Sequence, residues 1–447
     1  MNKNQEMLEN GSYRQLILNL CVPTIVIMLV MVIYNMADTF FIGQTGNHYL
    51  ITAVSLCSPV FSILSGLGTL LGSGGCTAVS LALGKKETAR VRSYSAFCCY
   101  GSLAIGMLFM AVVFFLAEPL ALALGADNNT LPATLEYLHI MALGSPIIMF
   151  SNVFANIIRA DGAAKQSMAA NGLGTVSNIL LDALFIMGFS WGVAGAAFAT
   201  VLGNTVSCTY LIYYITKKQP VLTLSPRSLS LKREIWGTVV PLGIPMACST
   251  LLMSFSHMIS NKMMVGYGSV ALAAQSVSGK LSMVITMLAM GICMGMQPAI
   301  SFNYAAGRRE RMHMIIKNTA IFTFVIGTVL SVLCFLFRNP LIAAFIDSEE
   351  ILSYGQVMVL AAVITGPFYG FYQLCQSFLQ STGKASYATV VALMDKGLFF
   401  LPMLFILNRF FGLYGIVFTG AVTLFFSLAA GLLFSLHWSR NMAKGHS

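Results

Sequence analysis

The sequence predicts an all-α integral membrane protein, with twelve transmembrane helices in two six-helix, pseudo-symmetric bundles related as parallel repeats. Three observations lead there: an apolar composition, basic residues confined to alternate loops, and a repeat near half the chain length. Of 447 residues, 57% are hydrophobic and only 9% charged, whereas soluble domains carry about 25% charged residues. Mean hydropathy is +0.80, which excludes disorder. The net charge of +10 would suit nucleic acid only on the basic face of a soluble domain, and the apolar runs leave no room for one. The ten cysteines sit in apolar runs without a CxxC pair, so they read as packing residues rather than a zinc or disulfide framework.

A spanning helix needs roughly 20 apolar residues. Twelve such segments are expected at Arg14–Gly43, Leu50–Leu83, Ser93–Leu116, Leu131–Arg159, Lys165–Gly188, Gly192–Thr216, Glu234–Gly266, Ser269–Gln297, Met314–Phe337, Ile351–Gln380, Ala385–Asn408 and Gly412–His437. Barrel strands are shorter and alternate in polarity. One set of loops, with the termini, holds 20 of the 25 basic residues. It includes Lys85, Lys86, Arg90 and Arg92, then Lys217 to Arg233, then Arg308, Arg309 and Arg311. The alternate loops hold Arg338 and Arg409 among Glu118, Asp127, Glu136, Asp347, Glu349 and Glu350. The positive-inside rule places both termini in the cytoplasm of a plasma (inner) membrane protein. The polar first dozen residues lack a small-residue cleavage site, so the first helix reads as an uncleaved anchor.

The halves repeat. Pro23 matches Pro245 at an offset of 222, and Gly84-Lys85-Lys86-Glu87 matches Gly307-Arg308-Arg309-Glu310 at 223. Pro146 and Gly162 match Pro367 and Gly383 at 221; Gly192 and Gly195 match Gly412 and Gly415 at 220. Six helices per half bring the second half into the membrane from the same side as the first, which suits alternating access. The organisation read from this is a first lobe over 1–216, a linker over 217–233 and a second lobe over 234–447.

Ionisable residues inside spanning helices are expensive and point to function. Asp38 in helix 1 and Asp182 in helix 5 each lie about six residues before the outer end, roughly 9 Å deep. Asn178 is one turn before Asp182 on the same face. Tyr137 and Thr200, on helices running the other way, fall at similar depth. Two neighbouring carboxylates in a low dielectric cannot both ionise cheaply, so this set can hold a proton. Its oxygens equally suit a transient Na⁺. By the repeat, Asp38 maps to Ser260, Asn178 to Phe399, Thr200 to Gly420 and Asp182 near Pro402 or Met403; the second half lacks the set. There Lys280 and Asp395 are expected to pair, while Asp395 and Lys396, as chain neighbours, are expected to point apart. Lys262 is expected to snorkel to the headgroups, and His257 is a further second-lobe group that can titrate. Glycines in helices 2 and 8 suggest close packing, Pro23 and Pro59 suggest bends, and the 27 methionines suit an adaptable cavity but mostly fill the core.

These features resemble the multidrug and toxic compound extrusion (MATE) family, and its DinF-like branch most of all. The resemblance covers nearly the whole chain. It rests on the Pro23…Asp38…Gly43 pattern, the Gly84-Lys85-Lys86 turn, the Arg159-Ala160-Asp161-Gly162 turn and Asn178-Ile179-Leu180-Leu181-Asp182. It implies an outward-facing V between two lobes and export coupled to H⁺ or Na⁺ entry. Asp38, Asn178, Asp182 and Thr200, with Tyr137 beside them, match the family's first-lobe cation site. Acids that another branch carries in helices 7 and 10 are missing here; helix 7 offers Ser256, His257 and Ser260. The implied cargo is small amphipathic, often cationic compounds, with the bilayer as surroundings and neither nucleic acid nor an obligate protein partner. No cofactor and no resident metal is expected. A lipid-linked saccharide flippase of the same superfold is the alternative, although only Lys280 and Lys396 offer it deep cations. An enzyme is disfavoured, since HExxH, GxSxG and P-loop signatures are missing. A channel would not need the repeat.

Overall fold

The structure is a computed structural model that describes residues 3–44, 48–218, 221–343 and 349–443. The side chains of residues 3, 35–40, 42–44, 48, 51, 269, 343, 349–351 and 443 also lie outside what it describes. Every described element is helical. Among the described residues, twelve helices are long and apolar enough to cross a membrane: Tyr13–Tyr34, Thr52–Gly84, Thr88–Phe115, Leu131–Ala160, Ala164–Gly188, Gly192–Lys218, Arg233–Val265, Val270–Ala305, Arg309–Leu336, Leu352–Ser381, Ala385–Phe411 and Leu413–Met442. They are called spans 1 to 12. Span 1 continues as helix to Gln44. Span 8 runs to Ala305, eight residues beyond the expected end at Gln297.

Within the first six spans, span 4 packs on spans 2, 3 and 6, and span 5 on spans 6 and 1. Within the last six, span 10 packs on spans 8, 9 and 12. The repeat is visible in backbone geometry. Gly106 of span 3 lies against Pro146 of span 4, and Gly327 of span 9 lies against Pro367 of span 10, both at an offset of 221. All ten cysteines are free thiols.

The turns at the basic end correct one detail of the repeat. Spans 4 and 10 end in left-handed Gly162 and Gly383, each followed by an N–H that reaches back five residues: Ala163 to Ile158 O and Lys384 to Leu379 O. This is the Schellman cap, and glycine adopts it without a Cβ penalty. Spans 2 and 8 end the same way, with Glu87 N–H to Ala82 O and Arg308 N–H to Asn303 O. The left-handed residues there are Lys86 and Gly307, again 221 apart. The shared Gly-basic-basic-Glu motif therefore aligns these turns two residues out of register.

A short helix, Lys3–Asn10, precedes span 1 and lies across the basic end. Gln5 donates to Asp161 Oδ1 at 2.8 Å in the first half. On the other side, Asn303 donates to Leu8 O at 3.1 Å and Arg311 to Gly11 O at 2.6 Å, while Arg308 pairs with Glu9. Leu8 is fully buried there, so the hydrogen bonds are anchored by an apolar plug.

Candidate functional site in the first six spans

Span 5 is an α-helix up to Asp182 and then widens into a π-helical turn, Ala183–Gly188. Such turns are rare and concentrate at functional sites. The regular helix before it keeps Asn178 and Asp182 on one face, one turn apart. Both are buried: Asn178 is 2% exposed and Asp182 0%. Thr200 faces them from span 6, where Gly203 lets the two helices approach closely: a Cβ on it would lie 2.9 Å from Asn178 Cβ.

Asn178 Nδ2 donates to Thr200 Oγ1 at 3.5 Å, a long bond. The Tyr34 hydroxyl of span 1 lies 3.2 Å from the same Thr200 oxygen. Asn178 Oδ1 is buried without a donor among the described residues. Tyr137 is buried and its ring meets Phe61 edge-on, with centroids 5.8 Å apart. The expected Asn178 and Thr200 contact thus forms. Asp38, the second acid of the expected set, has a side chain outside the described residues. Tyr34, which no charge marks in the sequence, lies one helical turn before Asp38.

The arrangement offers an acid, an amide and hydroxyls in an apolar surround. Uncharged oxygens and one or two carboxylates can take a proton or a small hard cation. A family profile described as MatE matches residues 23–184 and 245–403. The chain belongs to the MatE family. Its relatives include the multidrug export protein MepA of Staphylococcus saprophyticus, 32% identical over 92% of this chain and 90% of that protein. MepA of Staphylococcus aureus strain MSSA476 is 31% identical over 88% and 87% of the two chains. The fold matches an outward-facing conformation of a multidrug resistance MATE family transporter of the MOP superfamily, with a TM-score of 0.93 at 22% identity and 99% coverage of both chains. It also matches a MOP superfamily transporter from Pyrococcus furiosus Vc1, with a TM-score of 0.91 at 22% identity and 99% coverage of both.

The second half of this MatE chain departs from the sequence reading. Asp395 forms its ion pair with Lys396, Nζ to Oδ2 at 2.7 Å, and not with Lys280, which is exposed. Chain neighbours point about 100° apart on a regular α-helix, but both residues here sit in another π-helical turn, Met394–Leu398. The wider turn and the four-carbon lysine stem bring the ammonium back to the carboxylate. The Lys396 ammonium lies 6.0 Å from the centre of the Tyr369 ring, and Ser256 donates to Lys396 O at 2.6 Å. His257 and Lys262 are exposed on span 7.

Proposed function

We propose that this chain is a cation-coupled antiporter that exports amphipathic, often cationic drugs and toxic compounds by alternating access. The observation that carries the coupling site is the buried Asp182, Asn178 and Thr200 set, joined by Tyr34. A buried acid surrounded by neutral donors changes its hydrogen bonding when it gains or loses a cation. That differential interaction is what coupling requires. In this reading Asp38 supplies the second acid and Tyr137 a further hydroxyl.

Membership of the MatE family and the export role carried by the names of the MepA relatives support the cargo class. The coupling ion is H⁺ or Na⁺; either is exchanged rather than retained. The proposed organisation is a first lobe over 1–216 that carries the cation site, a linker over 217–233 and a second lobe over 234–447. The excess of Lys and Arg at the basic end supports cytoplasmic termini in the plasma membrane. A flippase for pyrophosphate-linked saccharides is disfavoured, because Lys396, one of two deep cations it would use, is already neutralised by Asp395.

The direct test is efflux of a fluorescent organic cation from energised vesicles, with the proton and sodium gradients collapsed separately. Efflux should stop when one of the two is collapsed. Efflux that survives collapse of both would overturn ion coupling. Orientation has its own test. Impermeant thiol reagents should reach cysteines placed at Asn10 and Arg227 only from the cytoplasmic side. Labelling of Arg227→Cys from outside would overturn the helix count and the charge argument together.

A further inference from the structure

The two sets of six spans meet along span 2 with span 7, and span 1 with span 8. At the level of Gly74 and Gly243, spans 2 and 7 touch backbone to backbone. A methyl group at Gly74 would collide with Val239 O, and one at Gly243 with Leu70 O. Beside this contact, two amides of the second half reach across to hydroxyls of span 2. Gln380 Nε2 of span 10 donates to Ser73 Oγ at 2.7 Å and also to Leu242 O of span 7 at 2.5 Å. Gln297 Nε2 of span 8 donates to Thr77 Oγ1 at 3.0 Å. Ser381 Oγ donates to Gln297 O at 3.4 Å and ties the two glutamines' helices together. Gln297, Gln380, Ser73 and Thr77 are each at most 4% exposed.

We propose that Gln297 and Gln380 form a hydrogen-bonded clasp that shuts the basic end of the cleft between the two halves and must open in each transport cycle. They are positioning residues: they touch neither the coupling set nor, in this state, cargo. Three lines support the clasp. First, Ser73 and Thr77 lie 11 and 7 residues from the basic end of span 2 at Gly84, and Gln380 is one residue from the end of span 10. The bonds therefore sit toward the basic end, below the level of Asp182. Second, the bonding of these side chains must change if the halves separate there. A buried amide is well satisfied only while its partner stays in place, whereas in a water-filled opening it finds new partners. That makes the contact two-state rather than sticky. Third, the repeat does not demand it. At the offset of 221, Gln297 and Gln380 correspond to Cys76 and Arg159. Arg159 bonds Asn156 in its own span and has a buried Nε without a partner among the described residues. Among the described residues, these two positions of the first half do not return the grip. The opposite seam, span 1 with span 8, is held by close backbone approach at Gly291 and Gly295 and by a Cys21 thiol 3.5 Å from Ile292 O. Thiols are weak donors, so the two seams differ in their side-chain hydrogen bonding.

The inference rests on the alternating-access reading, but its test needs neither cargo nor an ion gradient. Spin labels on Lys165→Cys and Glu310→Cys, in a chain whose native thiols are replaced, report the separation of the halves at the basic end in lipid nanodiscs. Gln297→Leu, Gln380→Leu and Thr77→Val should each raise the long-distance population about fivefold, the scale of one neutral hydrogen bond. The double glutamine variant should raise it further. Thr77→Ser keeps the hydroxyl and should behave as the parent chain. The clasp is overturned if Thr77→Val and both glutamine variants leave the distance distribution unchanged. It is equally overturned if Thr77→Ser shifts it as much as Thr77→Val, which would indicate packing rather than hydrogen bonding. Loss of efflux coupling with the distance shifts intact would count against the antiporter reading and leave the clasp standing.

Discussion

Asp182→Asn will reduce gradient-driven efflux to the level of vesicles lacking the protein, and Asp38→Asn will do the same, while both variants stay folded in the membrane. Asp182 is fully buried, one turn from Asn178, and Asn178 bonds Thr200. Asparagine keeps the size of the side chain and much of its hydrogen bonding, but it cannot take and release a proton, and it offers a cation one neutral oxygen in place of a carboxylate. An antiporter must bind ion and cargo in different states, so removing the charge change removes the linkage. A purely structural aspartate would tolerate the exchange at least in part. The measurement compares drug binding with drug efflux in the same purified variants. Binding should persist and pumping should not. Wild-type pumping by both variants under the same gradient would remove the first-half coupling site. Thr200→Val gives a graded control: it loses the oxygen that Asn178 and Tyr34 share but keeps the acids, and should slow efflux without abolishing it.

The architecture was legible because the bilayer imposes it: every backbone group in a span must be bonded within it. Apolar runs therefore report helices directly, and the basic loops report their order. The site was legible in part for a similar reason. An acid in an apolar run is costly enough to draw notice, and Asn178 follows from it by one helical turn. Tyr34 carries no charge and did not draw notice, although the same one-turn rule from Asp38 reaches it. Gln297 and Gln380 were passed over on the same ground. Amides cost less than charges in a membrane, yet they bond across helices, and their partners Thr77 and Ser73 are distant in the chain. The register of the repeat misled where Lys86 takes a left-handed turn that glycine usually fills, because a motif reports residue types and not hydrogen bonds. Local helix geometry was the least legible feature. Nothing in Met394–Leu398 announces a π-helical turn, and the rule that neighbours point apart assumes a regular helix.

That turn sets the second large effect. Lys396→Met should lower stability by about 3–5 kcal/mol, because a buried carboxylate then loses its ammonium. Asp395 is 2% exposed and the lysine side chain 24%, so water screens little of the pair. Asp395→Asn should also destabilise, leaving the ammonium beside the Tyr369 ring with a neutral amide. The two changes together should recover most of the loss, since an uncharged pair of similar shape has no desolvation penalty to offset. The check is a double-mutant cycle on unfolding of the purified protein in detergent. The interaction energy should be large, whereas Lys280→Met combined with Asp395→Asn should be additive within about 0.5 kcal/mol. Transport separates the pair from the coupling set. The double variant should retain gradient-driven efflux, because Asp395 and Lys396 lie in the second half, away from Asp182. A cycle in which Asp395 and Lys396 act independently would show that their 2.7 Å contact contributes no net energy. A double variant that folds normally and cannot pump would place the pair in the transport cycle itself.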